Sequence, residues 1–248
     1  MIEILAPSIL LAFVLVGIHS LFGLEVVKRG VIFSDLAVGQ WAGLGMALSI
    51  SFFDNEYKYL LALLFALSCG LLITYALNRV QNREAFIGLL YAFGSGSVMI
   101  ALTHSAEGME AFRNLISSDI LFTLPETIYK SSLLYLIVGL LLWKVYPLLK
   151  GIYKDMFFFI LFAITVTSSV SLAGVLTVFV FLIAPPFIAL NLGKVGLFSA
   201  WVVGWIIAVV AIFISYYFDL PTGYTIVTLG SFLAIVFGLF GIDASKEV

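Results

Sequence analysis

An all-α fold of membrane-spanning helices, eight or nine in number, is what this sequence predicts, and three observations carry the prediction. Of 248 residues, 63% are hydrophobic and only 10% are charged. A soluble globular domain carries about 25% charged residues, so this chain could not cover a water-facing surface. Apolar segments long enough to cross a hydrocarbon core of about 30 Å recur from one end to the other. The connections between them are mostly short, which leaves no room for a soluble domain.

In order, the segments fall near 5–24, 31–53, 58–78, 84–104, 128–148, 156–171, 173–190, 195–217 and 223–242. Each is read as a helix because lipid offers backbone groups no hydrogen-bond partner. The pair within 156–190 divides a single run of about 35 residues that carries no charge after Asp155; two short crossings fit it better than one. The count drops from nine to eight if one segment is re-entrant or lies in the interface. The long connection, 105–127, contains Gly108 and Pro125 and has room for a short interfacial helix around 108–117. A second domain needs at least about 50 residues outside the membrane, so residues 1–248 are expected to form one transmembrane domain.

Basic residues orient the chain. With alternating sides, one set of connections holds Lys28, Arg29, Arg79, Arg83, Lys144, Lys150, Lys154, Lys194 and Lys246, and the other only Lys58, Arg113 and Lys130. The positive-inside rule puts the first set in the cytoplasm. The N-terminus is then outside and the C-terminus inside a cell's inner (cytoplasmic) membrane. No cationic leader precedes the first segment, so no cleavable signal peptide is expected. The net charge of -2 suggests no nucleic-acid partner, and the one cysteine, Cys69, reads as a small packing residue.

Familiar chemistry is absent. There is no G-x-x-x-x-G-K-[ST] loop for ATP and no H-E-x-x-H. The run Gly94-Ser95-Gly96-Ser97 lacks the order of a nucleophile elbow and lies inside an apolar helix. The two histidines, His19 and His104, are far apart. An enzyme would have to be assembled from distant residues.

Ionisable groups within spans cost roughly 3 kcal/mol each on the insertion scale. Glu25 sits beside Lys28 and Arg29 and reads as a headgroup-level charge. His19 lies in the second half of the first span. Asp35 lies one turn into the second, with Gln40 five residues on and glycines at 39, 43 and 45. Five residues rotate a helix by about 500°, well past one full turn, so Asp35 and Gln40 share no face unless the helix breaks. Gly39-x-x-x-Gly43 is either a helix-packing seam with Asp35 snorkelling, or part of a polar pathway lined by Asp35. Pro185-Pro186 is expected to end the seventh span. A short helix would follow over Phe187–Lys194, closed by Gly193 as its C-cap. It would be an ordinary interfacial turn or a docking element.

Four stretches, in order and nearly spanning the chain, carry a resemblance. They are the continuous run His19–Ala37, from His19-Ser20-Leu21-Phe22-Gly23 through Lys28-Arg29-Gly30 to Ser34-Asp35-Leu36-Ala37; Glu84-Ala85-Phe86-Ile87-Gly88; Leu172-Ala173-Gly174-Val175-Leu176-Thr177 with Leu182-Ile183-Ala184-Pro185-Pro186-Phe187-Ile188-Ala189; and Asp219-Leu220-Pro221-Thr222-Gly223 with Ile226-Val227. Together they resemble the permease subunits of metal-ion (zinc, manganese or iron) ABC transporters, the ABC-3 type. The resemblance implies a type II ABC importer-like permease: a homodimer in lipid, served by two cytoplasmic ATPase subunits and an extracytoplasmic substrate-binding protein. It implies no permanently bound cofactor. A divalent metal would be the substrate, and ATP would act through the partner. It places Asp35, with Gln40, His19 and Gly39, on the transport pathway, and makes Asp35 the metal-binding residue. Pro186, Ala189, Leu190, Asn191 and Gly193 would form the ATPase-coupling element.

The chain departs from the family pattern at two positions. Gly39 stands where the best-known members have a histidine, which bears on which ion, or which metal chelate, is carried. Leu190 and Asn191 stand where an arginine is usual. A secondary transporter or channel is a second reading, which would call for more buried charge than Asp35 and His19 supply. A membrane scaffold is a third. A neighbouring reading frame with a P-loop would separate the first reading from both.

Overall fold

The computed structural model describes residues 2–103, 105, 108–116, 120, 123–193 and 196–240. Lys194, His104, Glu107, Asp119 and Lys246 therefore lie outside the described residues. Among those described, ten α-helices follow one another: α1 (Ile2–Arg29), α2 (Ser34–Phe52), α3 (Lys58–Arg79), α4 (Arg83–Leu102), α5 (Gly108–Ile116), α6 (Pro125–Lys144), α7 (Gly151–Ala173), α8 (Val175–Asn191), α9 (Leu197–Phe218) and α10 (Thr222–Phe240). No strand occurs among the described residues. Nine helices match the nine apolar segments, and α5 is the short helix expected near 108–117. Seven of the nine are long and apolar enough to cross a membrane. The other two are α8, which has 17 residues, and α2, whose polar Asp35, Gln40 and serines dilute its apolar character.

The chain divides into two compact units. One comprises residues 1–29, 119–132 and 176–248; the other comprises 30–118 and 133–175.

In the first unit, α1 is bound to α9 by two rungs. The Trp201 indole N–H donates to the Gly17 carbonyl at 2.9 Å and that of Trp205 to the Phe13 carbonyl at 3.2 Å. Donors four residues apart thus meet carbonyls four residues apart, which fixes both register and rotation of the pair.

Here one expectation fails. Pro185 and Pro186 lie inside α8, which continues to Asn191. Proline deprives the carbonyl four residues earlier of its donor and needs room for its ring. Neighbouring helices supply the room. Gly23 of α1 lies against the Leu182 carbonyl, the one Pro186 leaves without a donor, and a Cβ there would also stand 3.1 Å from Pro186 Cγ. Gly204 of α9 accommodates Pro185, whose Cγ would lie 2.9 Å from a Cβ at that position. Membrane helices tolerate proline where packed neighbours absorb the disturbance. The helix ends instead at residue 191, and Gly193 takes the left-handed φ of 68° expected of a C-cap. The Asp219–Gly223 stretch forms the α9–α10 turn. The buried Ser215 hydroxyl there donates to the Leu220 carbonyl at 2.6 Å and meets Thr222 Oγ1 at 2.7 Å.

In the second unit, α2 is packed on three sides. Gly45 lies against the Leu61–Ala62 backbone of α3. On the α4 side Gly94 makes room for Gln40 and Trp41, and the Trp41 indole donates to the Leu90 carbonyl at 2.9 Å. The third side faces α7, which in turn packs on α3 where a Cβ at Gly70 would stand 3.1 Å from the Phe159 carbonyl oxygen. Small residues at each crossing let the backbones approach.

Candidate functional site

The candidate site is one face of α2. A step of four residues overshoots a full helical turn by only about 40°, so Asp35, Gly39, Gly43 and Ala47 form one slowly turning stripe. At its start, α2 is held by a main-chain bond from Ser34 N–H to the Val31 carbonyl at 3.0 Å. The preceding elbow is held by Glu84 of α4, whose Oε1 accepts the Ile32 N–H at 2.6 Å. Glu84 opens the second stretch of the family resemblance. Its bond to the elbow fixes where the first turn of α2, and hence Asp35, begins.

Asp35 is 1% exposed, and neither carboxylate oxygen has a hydrogen-bond partner among the described residues. The hydroxyl of the neighbouring Ser34 is likewise buried and without a partner. Buried polar groups are nearly always hydrogen-bonded, and an orphaned carboxylate is the costly exception. Snorkelling is excluded, since a snorkelling side chain reaches solvent.

One turn further, Gly39 faces α7 and the start of α8. A Cβ there would stand 3.3 Å from Val175 Cγ1 and 3.5 Å from Val170 Cγ2. A side chain added at this position would press on these two valines. Another turn on, a Cβ at Gly43 would meet Leu115 of α5 at 3.6 Å. Leu115 and Phe112 of α5 pack against a cluster of Leu44, Ala47, Val98, Ala101 and Leu102. The stripe thus runs from an apolar cover at α5 to a buried carboxylate about 12 Å away along the helix axis, eight residues at about 1.5 Å each.

Other residues singled out in the sequence take different places. Gln40 points to α4 at Gly94, and α2 has no break, so Gln40 and Asp35 lie on different faces. His19 belongs to α1 in the other unit. It is fully buried, and both ring nitrogens lack a partner among the described residues. It sits in a seam of α1 formed by Leu5, Ser8, Ala12, Leu15, His19, Phe22 and Val26, all at most 1% exposed. The alternating spacing of three and four is a helix-packing repeat, in which Ser8 and His19 are the polar members. Glu25 pairs with Lys28 at 3.6 Å, as suits a headgroup-level charge. No group of three or more His, Cys, Asp or Glu side chains close enough to hold a metal occurs among the described residues. Pro186 and Ala189 lie within α8. Leu190 and Asn191 are its last residues, half-buried, and the Asn191 amide donates back to the Phe187 carbonyl at 2.9 Å.

No family model matches the chain. It is 26% identical to a probable iron transport system membrane protein of Haemophilus influenzae, over 84% of this chain and 83% of that protein. Two solved structures share the fold. One is PsaBC from Streptococcus pneumoniae in complex with Fab, with TM-score 0.75, 17% identity, and coverage of 98% of this chain and 94% of that one. The other is an inward-facing conformation of a putative metal-chelate type ABC transporter, with TM-score 0.73, 18% identity, and coverage of 94% and 85%. The chain is thus similar in sequence, over most of its length, to a membrane protein of an iron transport system, and in fold, over nearly all of it, to PsaBC and to a metal-chelate type ABC transporter.

Proposed function

We propose that this chain is the transmembrane permease domain, residues 1–248, of an importer for a divalent metal ion or a metal chelate, driven by ATP hydrolysis in separate subunits. The observation that carries the reading is Asp35: a buried carboxylate without a partner among the described residues, on a glycine-lined face of α2, in a fold shared with metal-type ABC permeases. An intramembrane acid that is neither paired nor solvated is best explained by a cation it meets in passing. The permease itself is not an enzyme. It would alternate its access as the ATPases close and open.

Two copies would pair in the inner membrane, with an extracytoplasmic binding protein delivering substrate. The bias of Lys and Arg puts the N-terminus outside and the end of α8 in the cytoplasm. His19, whose ring nitrogens are also buried without a partner among the described residues, is proposed as a further station on the pathway. Gly39 contributes by its smallness rather than as a ligand.

Coupling is proposed to run through the end of α8, where Pro186, Ala189, Leu190 and Asn191 lie in the last two turns and Gly193 in the cap. Two prolines braced by Gly23 and Gly204 make this segment able to pass a push to α1 and α9 as one body. The double variant Leu190→Asp/Asn191→Asp should release the ATPase while leaving the chain in the membrane. Affinity purification from solubilised membranes reads the outcome. Retention of a stimulated ATPase by this variant would show that docking lies elsewhere.

A further inference from the structure

The reversal between α7 and α8 leaves main-chain oxygens inside the second unit without partners among the described residues. A helix leaves its last four carbonyls without intrahelical donors. At the end of α7, the Gly174 N–H takes one of them, the Val170 carbonyl, at 2.9 Å. The carbonyls of Ser171, Leu172 and Ala173 accept no hydrogen bond among the described residues. Gly174 then turns the chain with φ 79° and ψ 162°, a conformation essentially restricted to glycine. Ala173 and Val175 on either side of it are 0% and 2% exposed. At the turn, Ala173 and Gly174 are buried, while Ser171 and Leu172 are half-buried.

Their position is fixed by α2. Val170 and Val175, which bracket the reversal, are the side chains that meet Gly39. Asp35 projects within about 40° of the Gly39 direction, one turn earlier, so its unpartnered carboxylate lies on the side of α2 that faces the reversal. Beyond Gly39, α2 continues from Gln40 to Phe52, about 20 Å at about 1.5 Å per residue. The reversal therefore sits partway along α2 rather than level with its end. Irregular backbone at membrane depth is tolerated only where protein buries it or it lines a polar cavity. In transporters, the carbonyl ends of broken helices coordinate cations.

We infer that the Ser171–Gly174 reversal supplies main-chain oxygen ligands to a hard divalent cation on its way to Asp35. The inference rests on the metal-permease reading and adds to it a class of ion. Asp35 alone offers two oxygens, and Gly39 one turn on brings no side-chain ligand. A cation shedding water needs replacement oxygens, which carbonyls provide without added charge, at the negative end of the α7 dipole. Such an oxygen set suits manganese-like ions and disfavours soft ions that prefer thiolate or imidazole.

The test uses the assembled transporter in proteoliposomes, in a Cys69→Ala background. The thiol introduced by Ala173→Cys should react with a methanethiosulfonate reagent, and the reaction should stop manganese uptake. Manganese at ten times its dissociation constant should slow the reaction about tenfold, and the added variant Asp35→Asn should remove that protection. If Ala173→Cys does not assemble, Leu172→Cys at a half-buried position serves in its place. A complex that takes up manganese while the thiol is unreactive, or reacts equally fast with and without the ion, would overturn the assignment of the reversal and leave the permease reading standing. Absence of uptake by the Cys69→Ala complex of any of manganese, iron or zinc would instead remove the permease reading, and this inference with it.

Discussion

Asp35→Asn is expected to bring metal uptake to background while the protein still reaches the membrane, pairs and holds its ATPase. Removing one member of a buried ionic contact costs about 3–5 kcal/mol, which corresponds to more than about 100-fold in occupancy of the site. Stability should move the other way. The carboxylate is buried and has no partner among the described residues, so replacing it by a neutral group of nearly the same volume should leave the melting temperature in detergent unchanged or raise it. Function lost with stability kept is the signature of a site held at the expense of the fold. A residue needed only for packing would show the reverse, with a lower melting temperature and uptake in proportion to the protein that survives. Uptake by Asp35→Asn near that of the unmodified chain would end the case for this residue on the pathway.

Gly45→Ala should be the most damaging of the single methyl additions in the second unit. A Cβ at Gly45 would run into the Leu61 carbonyl group and stand 2.6 Å from the Ala62 nitrogen. Both are backbone of α3, so no side chain can rotate away, and α2 and α3 would have to part along their length. Overpacking of a close-packed core costs about 1–3 kcal/mol when side chains can yield. Here the upper end applies, a loss of about 5–10 °C in melting temperature for a chain of this size. Gly45→Leu should yield no folded protein. Gly17→Ala and Gly96→Ala provide the contrast, because a Cβ at either position meets nothing within 4 Å. In a helix interior that change gains about 0.5–1 kcal/mol. Equal thermal stability of Gly45→Ala and Gly96→Ala would contradict the close α2–α3 crossing.

Much of the architecture was legible before any coordinates, and the reason is solvent. Lipid forces long apolar runs into helices, so nine segments became nine helices, and α5 was visible as a mixed-polarity stretch too short to span. Gly193 was legible because a glycine after an apolar run, before a cation, is a helix stop. The prolines misled because their cost was judged on α8 alone. Gly23 and Gly204, which make Pro186 and Pro185 tolerable, belong to α1 and α9, and no local pattern in the sequence links either glycine to its proline.

The site was half legible. Asp35 stood out because charge is rare in such a chain, and helix geometry correctly separated it from Gln40. That Asp35 is fully buried, that Val170 and Val175 occupy the space beside Gly39, and that the α7 carbonyls are orphaned all depend on which helices meet α2. Periodicity does not report that when a helix is apolar on most sides.

The most direct test of the central claim is accumulation of radioactive manganese, iron or zinc in proteoliposomes that hold this chain with its co-purified ATPase and binding protein. The account predicts accumulation that requires ATP, stops when the ATPase cannot hydrolyse it, and is absent with Asp35→Asn. Accumulation driven by an ion gradient without ATP, or at an undiminished rate with Asp35→Asn, would contradict it.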